Sequence, residues 1–204
     1  MDRKEIKKLA KEQLGNQIFS NNWLLAIVAA FIADTIISLT MTVSFGIIGI
    51  LISGPLTYGL SYLFLKQARD KQAMNLGELF KGFKEDLGDT MLLGFMTSLF
   101  VTLWSLLFII PGIIKNYAYS FAFYIKADHP EYEWNRCIRE SRHLTKGHKW
   151  RLFVLDLSFI GWFIVGMLCL GVGTLWVEAY QTAAKTQYYN SVVKASEPET
   201  SEAE

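Results

Sequence analysis

The sequence predicts an all-α membrane protein with six transmembrane helices, arranged as three hairpins and each hairpin preceded by a short interfacial amphipathic helix. Three observations predict it. Long runs carry almost no charge, basic residues gather in alternate connections, and an amphipathic segment recurs ahead of every second run.

The runs come first. Residues 23–45 hold one charge, Asp34; residues 46–65 and 90–110 hold none; residues 152–172 hold only Asp156. A helix needs roughly 20 apolar residues to cross a bilayer core, and these four runs meet that length. The whole chain is 51% hydrophobic and 19% charged, below the charge of an ordinary soluble domain. Two weaker runs complete the set. Residues 112–127 carry Lys115 and Lys126, and residues 173–193 carry Glu178 and Lys185. Neighbouring helices in a bundle can shield such groups from lipid. The run at 112–127 is short for a span, so it calls for local thinning or for lysines that snorkel.

Charge sets the orientation. Arg3, Lys4, Lys7, Lys8 and Lys11 precede the first run; Lys66, Arg69, Lys71, Lys81 and Lys84 separate the second from the third. Arg136, Arg139, Arg142, Lys146, Lys149 and Arg151 separate the fourth from the fifth, and the remaining connections carry no Lys or Arg except Lys115. By the positive-inside rule, the basic segments and both termini are expected in the cytosol. The first run is long for a signal peptide and contains Asp34, so it is read as a retained span. Cys137 and Cys169 then fall on opposite sides of the membrane and form no disulfide with each other. The net charge of +1 makes no case for nucleic acid, and none is expected as a partner.

The recurring segments place apolar residues at offsets of three and four: Ile6, Leu9, Ala10 and Leu14; Leu76, Leu79, Phe80 and Phe83; Trp134, Cys137 and Ile138. Each is followed by a glycine suited to end a helix, Gly15, Gly88 and Gly147. Three like-oriented units predict a rough threefold axis along the membrane normal. Pro111-Gly112 is expected to make an outer hairpin turn, with Gly54-Pro55 and 171–173 at comparable points. Gly46, Gly49, Gly161 and Gly166 are expected where helices approach closely. A single membrane domain over 1–193 is followed by a disordered acidic tail at 194–204.

The stretches "IPGIIKNYAYSFAFYIKADHP", "KGHKWRLFVLDLSFIGWF" and "GVGTLWVEAY" carry a resemblance. With Pro111, Gly112, Tyr117, Asp128, Pro130, Trp150 and Tyr180 among the matching positions, the chain resembles the bacterial membrane family catalogued as domain of unknown function 975. More distantly, its Ile-Pro-Gly element is similar to the membrane domain attached to some glycerophosphodiester phosphodiesterases. The resemblance implies a multi-span protein of the bacterial inner membrane and implies no activity.

No phosphate-binding glycine loop, His-Glu-x-x-His, nucleophile elbow or Cys-x-x-Cys occurs in the sequence. His129, His143 and His148 have no common ligand spacing. No catalytic, cofactor or metal site is therefore expected. Two groups of residues remain. Asp34, Lys115, Asp156 and Glu178 form a candidate intramembrane polar site, expected to face the bundle interior, with Lys115 and Glu178 paired at similar depth. Arg136, Arg139, Arg142, Lys146, Lys149 and Arg151 form a candidate patch for anionic lipid or a partner membrane protein. The expected function is a non-enzymatic membrane module in envelope organisation or partner binding. The alternative is a small transporter or channel with a polar cavity around Asp34 and Asp156.

Overall fold

The computed structural model describes residues 3–15, 20–43, 47–71, 74–168 and 172–196, and the regular elements among them are all helical. They are α1 (Arg3–Leu14), α2 (Asn21–Val43), α3 (Ile47–Asp70), a 3-10 turn (Leu76–Phe80) leading into α4 (Lys81–Lys84), α5 (Leu87–Leu107), α6 (Ile109–Tyr119), α7 (Ala122–Asp128), α8 (Trp134–Leu144), α9 (Lys149–Leu168) and α10 (Val172–Ser196). The first and third units keep the expected rhythm of a short amphipathic element followed by a pair of long ones, and the second does not. Gly46, Cys169, Gly171 and the acidic end at 197–204 lie outside the described residues.

Among the described residues, three helices are long and apolar enough to cross a membrane: Asn21–Thr40, Leu87–Leu107 and Lys149–Met167. They are the outgoing members of the three pairs. Of the returning members, α3 and α10 carry polar residues toward their C-terminal ends, Lys66, Gln67 and Arg69, and Gln187 and Asn190, respectively. The fourth run divides at Ser120–Phe121 into α6 and α7, of 11 and 7 residues.

That division is stabilised from outside. A helix break leaves backbone groups without helical partners, and burying them unpaired is costly. Ser141 of α8 donates to the Ala118 carbonyl at 2.9 Å and accepts from the Phe121 amide at 3.2 Å. Thr145 donates to the same carbonyl at 3.3 Å, and both side chains are fully buried. So α8 is seated in the bundle rather than lying at its edge. Its Cys137 and Ile138 are buried with Ser141, on the face that meets α7 and α5.

The glycines correct several expectations. Gly15 and Gly147 end α1 and α8 with φ of +97° and +85°, angles that favour glycine. Gly88 does not act this way, because it falls in the first turn of α5. Pro111-Gly112 is not the hairpin turn either. Phe108, with extended angles φ −157° and ψ 138°, reverses the chain. Pro111 then sits in the first turn of α6, where its missing N–H has no helical acceptor to lose. Gly112 is needed for contact, since a Cβ there would stand 2.0 Å from Ser105 Oγ of α5. Gly54-Pro55 likewise lies inside α3, where it crosses α5. A Cβ on Gly54 would stand 2.2 Å from the Thr90 carbonyl oxygen, and one on Gly94 2.5 Å from the Gly54 Cα. Of the expected close-approach glycines, Gly166 meets Gly173 whereas Gly161 faces open space.

The core runs from α1 to α10. Ile6, Ala10 and Leu14 of α1 are buried with Trp23, Tyr58, Phe64, Phe121, Phe159 and Tyr189. The Trp23 indole donates to the Gly15 carbonyl at 2.8 Å, which fixes the corner between α1 and α2. Near this core the Lys126 side chain is 0% exposed by residue. Its ammonium donates to Asp86 at 2.9 Å, Asp89 at 3.2 Å, the Pro130 carbonyl at 2.7 Å and the Tyr132 carbonyl at 2.8 Å.

This arrangement is testable. Asp86→Asn with Asp89→Asn leaves an ammonium buried among neutral acceptors, and losses from a broken buried pair run to about 3–5 kcal/mol. Unfolding in detergent should show the double variant much less stable than either single one. Adding Lys126→Met should recover part of the loss, and a purely additive triple variant would contradict the charge argument.

Candidate functional site

The four charges expected within the apolar runs separate into three places. Asp156 of α9 accepts from Gln181 at 2.7 Å and pairs with Lys185 at 3.2 Å, both on α10. Its other oxygen accepts from the Tyr117 hydroxyl of α6 at 3.0 Å. Both carboxylate oxygens are thus occupied, and the ion pair is neutral. Glu178 of α10 meets Asp34 of α2 closely enough for a hydrogen bond between their carboxyl groups. Asp34 itself is exposed, on the side of α2 that also exposes Phe31.

Lys115 is found elsewhere. Its ammonium lies over the Trp104 ring, 4.6 Å from the centroid, and the neighbouring charges it feels are Arg142 and Lys149. No ion pair joins Lys115 to Glu178, so that expectation is corrected. The reason is the break after Tyr119. An unbroken fourth span would have put Lys115 one full span away from the basic segment, whereas the short α6 packs against both α8 and α9.

The basic patch also divides. Arg136 stacks on Tyr132 at 3.6 Å from the ring, and Arg139 and Lys146 are exposed. Arg142 donates to the Tyr119 hydroxyl at 3.4 Å and, with Lys149, borders Lys115. Arg151 turns instead toward α1, where it lines a cavity of about 470 Å³ with Arg3.

A second ionic centre was missed by sequence reasoning. Arg69 at the end of α3 grips Asp128 of α7 through two hydrogen bonds, 2.6 and 2.8 Å. Asp128 also accepts from Tyr189 at 2.7 Å, and Arg69 reaches Asn190 at 3.2 Å. A cavity of about 840 Å³ opens beside it, lined in part by His129, Glu140 and Lys194. Asp128 does lie in the stretch that carries the family resemblance. Nothing in periodicity or spacing connects it to Arg69, 59 residues away.

The histidines have ordinary partners. His129 stacks on Tyr132 with centroids 4.4 Å apart, and His148 Nδ1 shares a hydrogen bond with the Tyr188 hydroxyl at 2.9 Å. Among the described residues, no three His, Cys, Asp or Glu side chains come together as a metal-binding group would require.

A family model described as Protein of unknown function (DUF975) matches residues 1–115 and 106–196. No curated protein and no solved structure gives a match to the chain.

Two measurements follow from the basic end. Cys137 is buried, and burial pushes its thiol up to about 11. Since the thiolate is the reacting form, a maleimide at neutral pH should leave Cys137 unmodified in the folded protein, whichever side it is applied from. Arg139→Cys, made without the native cysteines, should react readily. His148 is held below its ordinary value near 6.5 by burial and then by Arg151. Its neutral form is favoured in the folded state, so its contribution is complete above about pH 6.5 and is lost as pH falls through and below that value. Thermal unfolding from about pH 8 to 5 should show that loss. His148→Gln should flatten the profile.

Proposed function

The chain belongs to this DUF975 family of proteins of unknown function, and we propose that it is a non-enzymatic membrane module that docks another membrane protein. In this reading, α2 with α3, α5 with α6 and α7, and α9 with α10 form three hairpins in a bacterial inner membrane. The returning helices are shielded by their neighbours, and the basic end and both termini face the cytosol.

One observation carries the reading. Asp34 is exposed on α2, the helix whose stretch Asn21–Thr40 is apolar enough to cross a membrane. Fourteenth of the 23 residues from Asn21, it sits well inside that helix. An aspartate facing hydrocarbon at mid-helix costs about 3 kcal/mol on insertion scales. Glu178 does not relieve this, because a second carboxyl supplies no cation. Two facing carboxyl groups can share one proton between them, but the carboxylate charge that remains has no cation, and lipid tails have none to give. A transmembrane helix of a partner, carrying a cationic or hydrogen-bond-donating side chain, would supply it. Phe31 on the same side would pack against that helix. The fully engaged Asp156 supports the same view, since that half-buried charge already has its cation within the chain.

The same two carboxyl groups also favour one other reading, a small transporter or channel with a water-filled path past Asp34. Photo-crosslinking in native membranes from position 31 should trap one discrete membrane protein. Asp34→Leu should abolish that product while leaving the fold intact. Reaction of Asp34→Cys with small water-soluble thiol reagents, with no crosslinked partner, would instead establish the transport reading.

A further inference from the structure

Lys115 is a half-buried cation on an otherwise apolar surface. Around it Ile110 and Ile114, one turn apart on α6, are exposed, and so are Leu103 and Leu107 of α5. The packing of the two helices fixes its position. Phe100 of α5 and Tyr119 of α6 meet with ring centres 6.1 Å apart. One turn along each helix, the Lys115 ammonium lies over Trp104, 4.6 Å from the ring centre. That contact stabilises a cation without neutralising it.

Two more cations reach the same place from other helices. Arg142 of α8 donates to the Tyr119 hydroxyl at 3.4 Å, with its guanidinium 5.5 Å from the centre of that ring. Tyr119 and Lys115 are one turn apart and share a face of α6. Gly147, with φ +85°, then turns the chain into α9, whose first residue is Lys149. Arg142 and Lys149 are the charges that Lys115 feels. Among the described residues, no ion pair joins any of the three to a carboxylate. Asp156, across the α6–α9 contact, is taken by Lys185, Gln181 and Tyr117. Three cations from three helices therefore focus positive potential at one place, which favours an anion there.

Depth selects the anion. Trp150, next to Lys149, is 72% exposed, and Trp104 under Lys115 is exposed too. Tryptophans gather at the headgroup level of a membrane. Leu107, Ile110 and Ile114 lie between these groups and the chain reversal at Phe108, so the apolar surface continues inward from the cations. A free phosphate would use the cations and leave that surface bare, whereas a lipid would use both. We propose that Lys115, Arg142 and Lys149 hold the phosphodiester of an anionic phospholipid, with its acyl chains along Leu107, Ile110 and Ile114. The inference rests on the basic end of the proposed module facing an anionic leaflet, and not on the identity of any docked protein.

The experiment uses the full chain in neutral detergent, titrated with short-chain phosphatidylglycerol, phosphatidylcholine of the same chains, and inorganic phosphate. Phosphatidylglycerol should bind and raise the unfolding temperature, and the other two should not. With each cation contributing around a fivefold factor, Lys115→Gln with Arg142→Gln should weaken phosphatidylglycerol binding about thirtyfold. Arg139→Gln with Lys146→Gln removes as much charge from the exposed side of α8 and should weaken it less than about threefold. Equal losses from the two pairs would overturn the site in favour of diffuse attraction. Equal binding of phosphatidylcholine would overturn the anionic choice, and equal binding of inorganic phosphate would overturn the lipid. If the Lys115 and Arg142 pair fails to fold, Lys149→Gln replaces it with an expected loss of about fivefold, and unchanged affinity there overturns the site. None of these outcomes depends on Asp34, so failure here and failure of partner docking are separable.

Discussion

The basic end of this protein depends on one buried ammonium. Lys126 belongs to α7, a helix of 7 residues. Helices that short do not persist on their own propensity. What holds α7 is charge on two sides. Lys126 binds Asp86 and Asp89 around the start of α5, together with two carbonyls of the loop leading to α8. Two residues on, Asp128 is gripped by Arg69 of α3 and by Tyr189 of α10. Asp86 occupies the position that would cap α5, yet it makes no capping hydrogen bond, because its carboxylate is committed to Lys126. The chain gives up a local helix cap for a tertiary contact. That exchange is favourable only because an unpaired buried ammonium costs far more than an uncapped helix end.

The same logic explains why the short amphipathic helices are not confined to a membrane surface. α1 offers Gln13 as well as its apolar face. Gln13 donates to the Phe64 carbonyl at 2.9 Å and to Gln67 at 3.1 Å, and accepts from Gln187 at 2.9 Å. Those partners sit where α3 and α10 carry their polar residues. α8 performs the equivalent service for the interrupted fourth helix through Ser141 and Thr145. α1 and α8 thus supply polar side chains to backbone or amide groups of their neighbours near the basic end. No buried side-chain nitrogen or oxygen among the described residues is left without a partner.

Much of the architecture was legible in sequence because it follows from periodicity. Offsets of three and four grouped Ile6, Ala10 and Leu14, and also Cys137 and Ile138, on single helical faces, and the structure buries those residues. Uncharged runs correctly marked α2, α5 and α9 as able to cross a membrane. What failed was punctuation. Gly54-Pro55 and Pro111-Gly112 look like turns, yet both are helical. A glycine makes a turn only if the chain reverses there, and it serves equally where another helix comes within a methyl group's width. Sequence does not distinguish these uses. The break at Ser120–Phe121 was invisible for a related reason. No proline or glycine announces it, and what makes it affordable lies on α8, some twenty residues further along.

The charges in the apolar runs illustrate a limit of a different kind. By composition, Asp34 and Asp156 are alike, each a single carboxylate in a long hydrophobic segment. Depth along the helix does not separate them in kind, and both were assigned to one interior site. Rotation about the helix axis does separate them. Asp156 turns toward α10 and meets Lys185 and Gln181, with Tyr117 of α6 on its other oxygen. Asp34 turns toward Glu178 and the outside. A hydrophobic run has little amphipathic pattern from which to read that rotation, because nearly every position is apolar on either face. The rotation is fixed instead by small residues. Ala26, Ala29, Ala30 and Ala33 are the buried positions that seat α2 against its neighbours. With Ala33 turned inward, the next residue is carried about 100° around the helix, which places the Asp34 carboxyl at the margin of the contact with α10. The exposure of Asp34 is therefore a consequence of the alanine seam, and burying it would require giving up that seam.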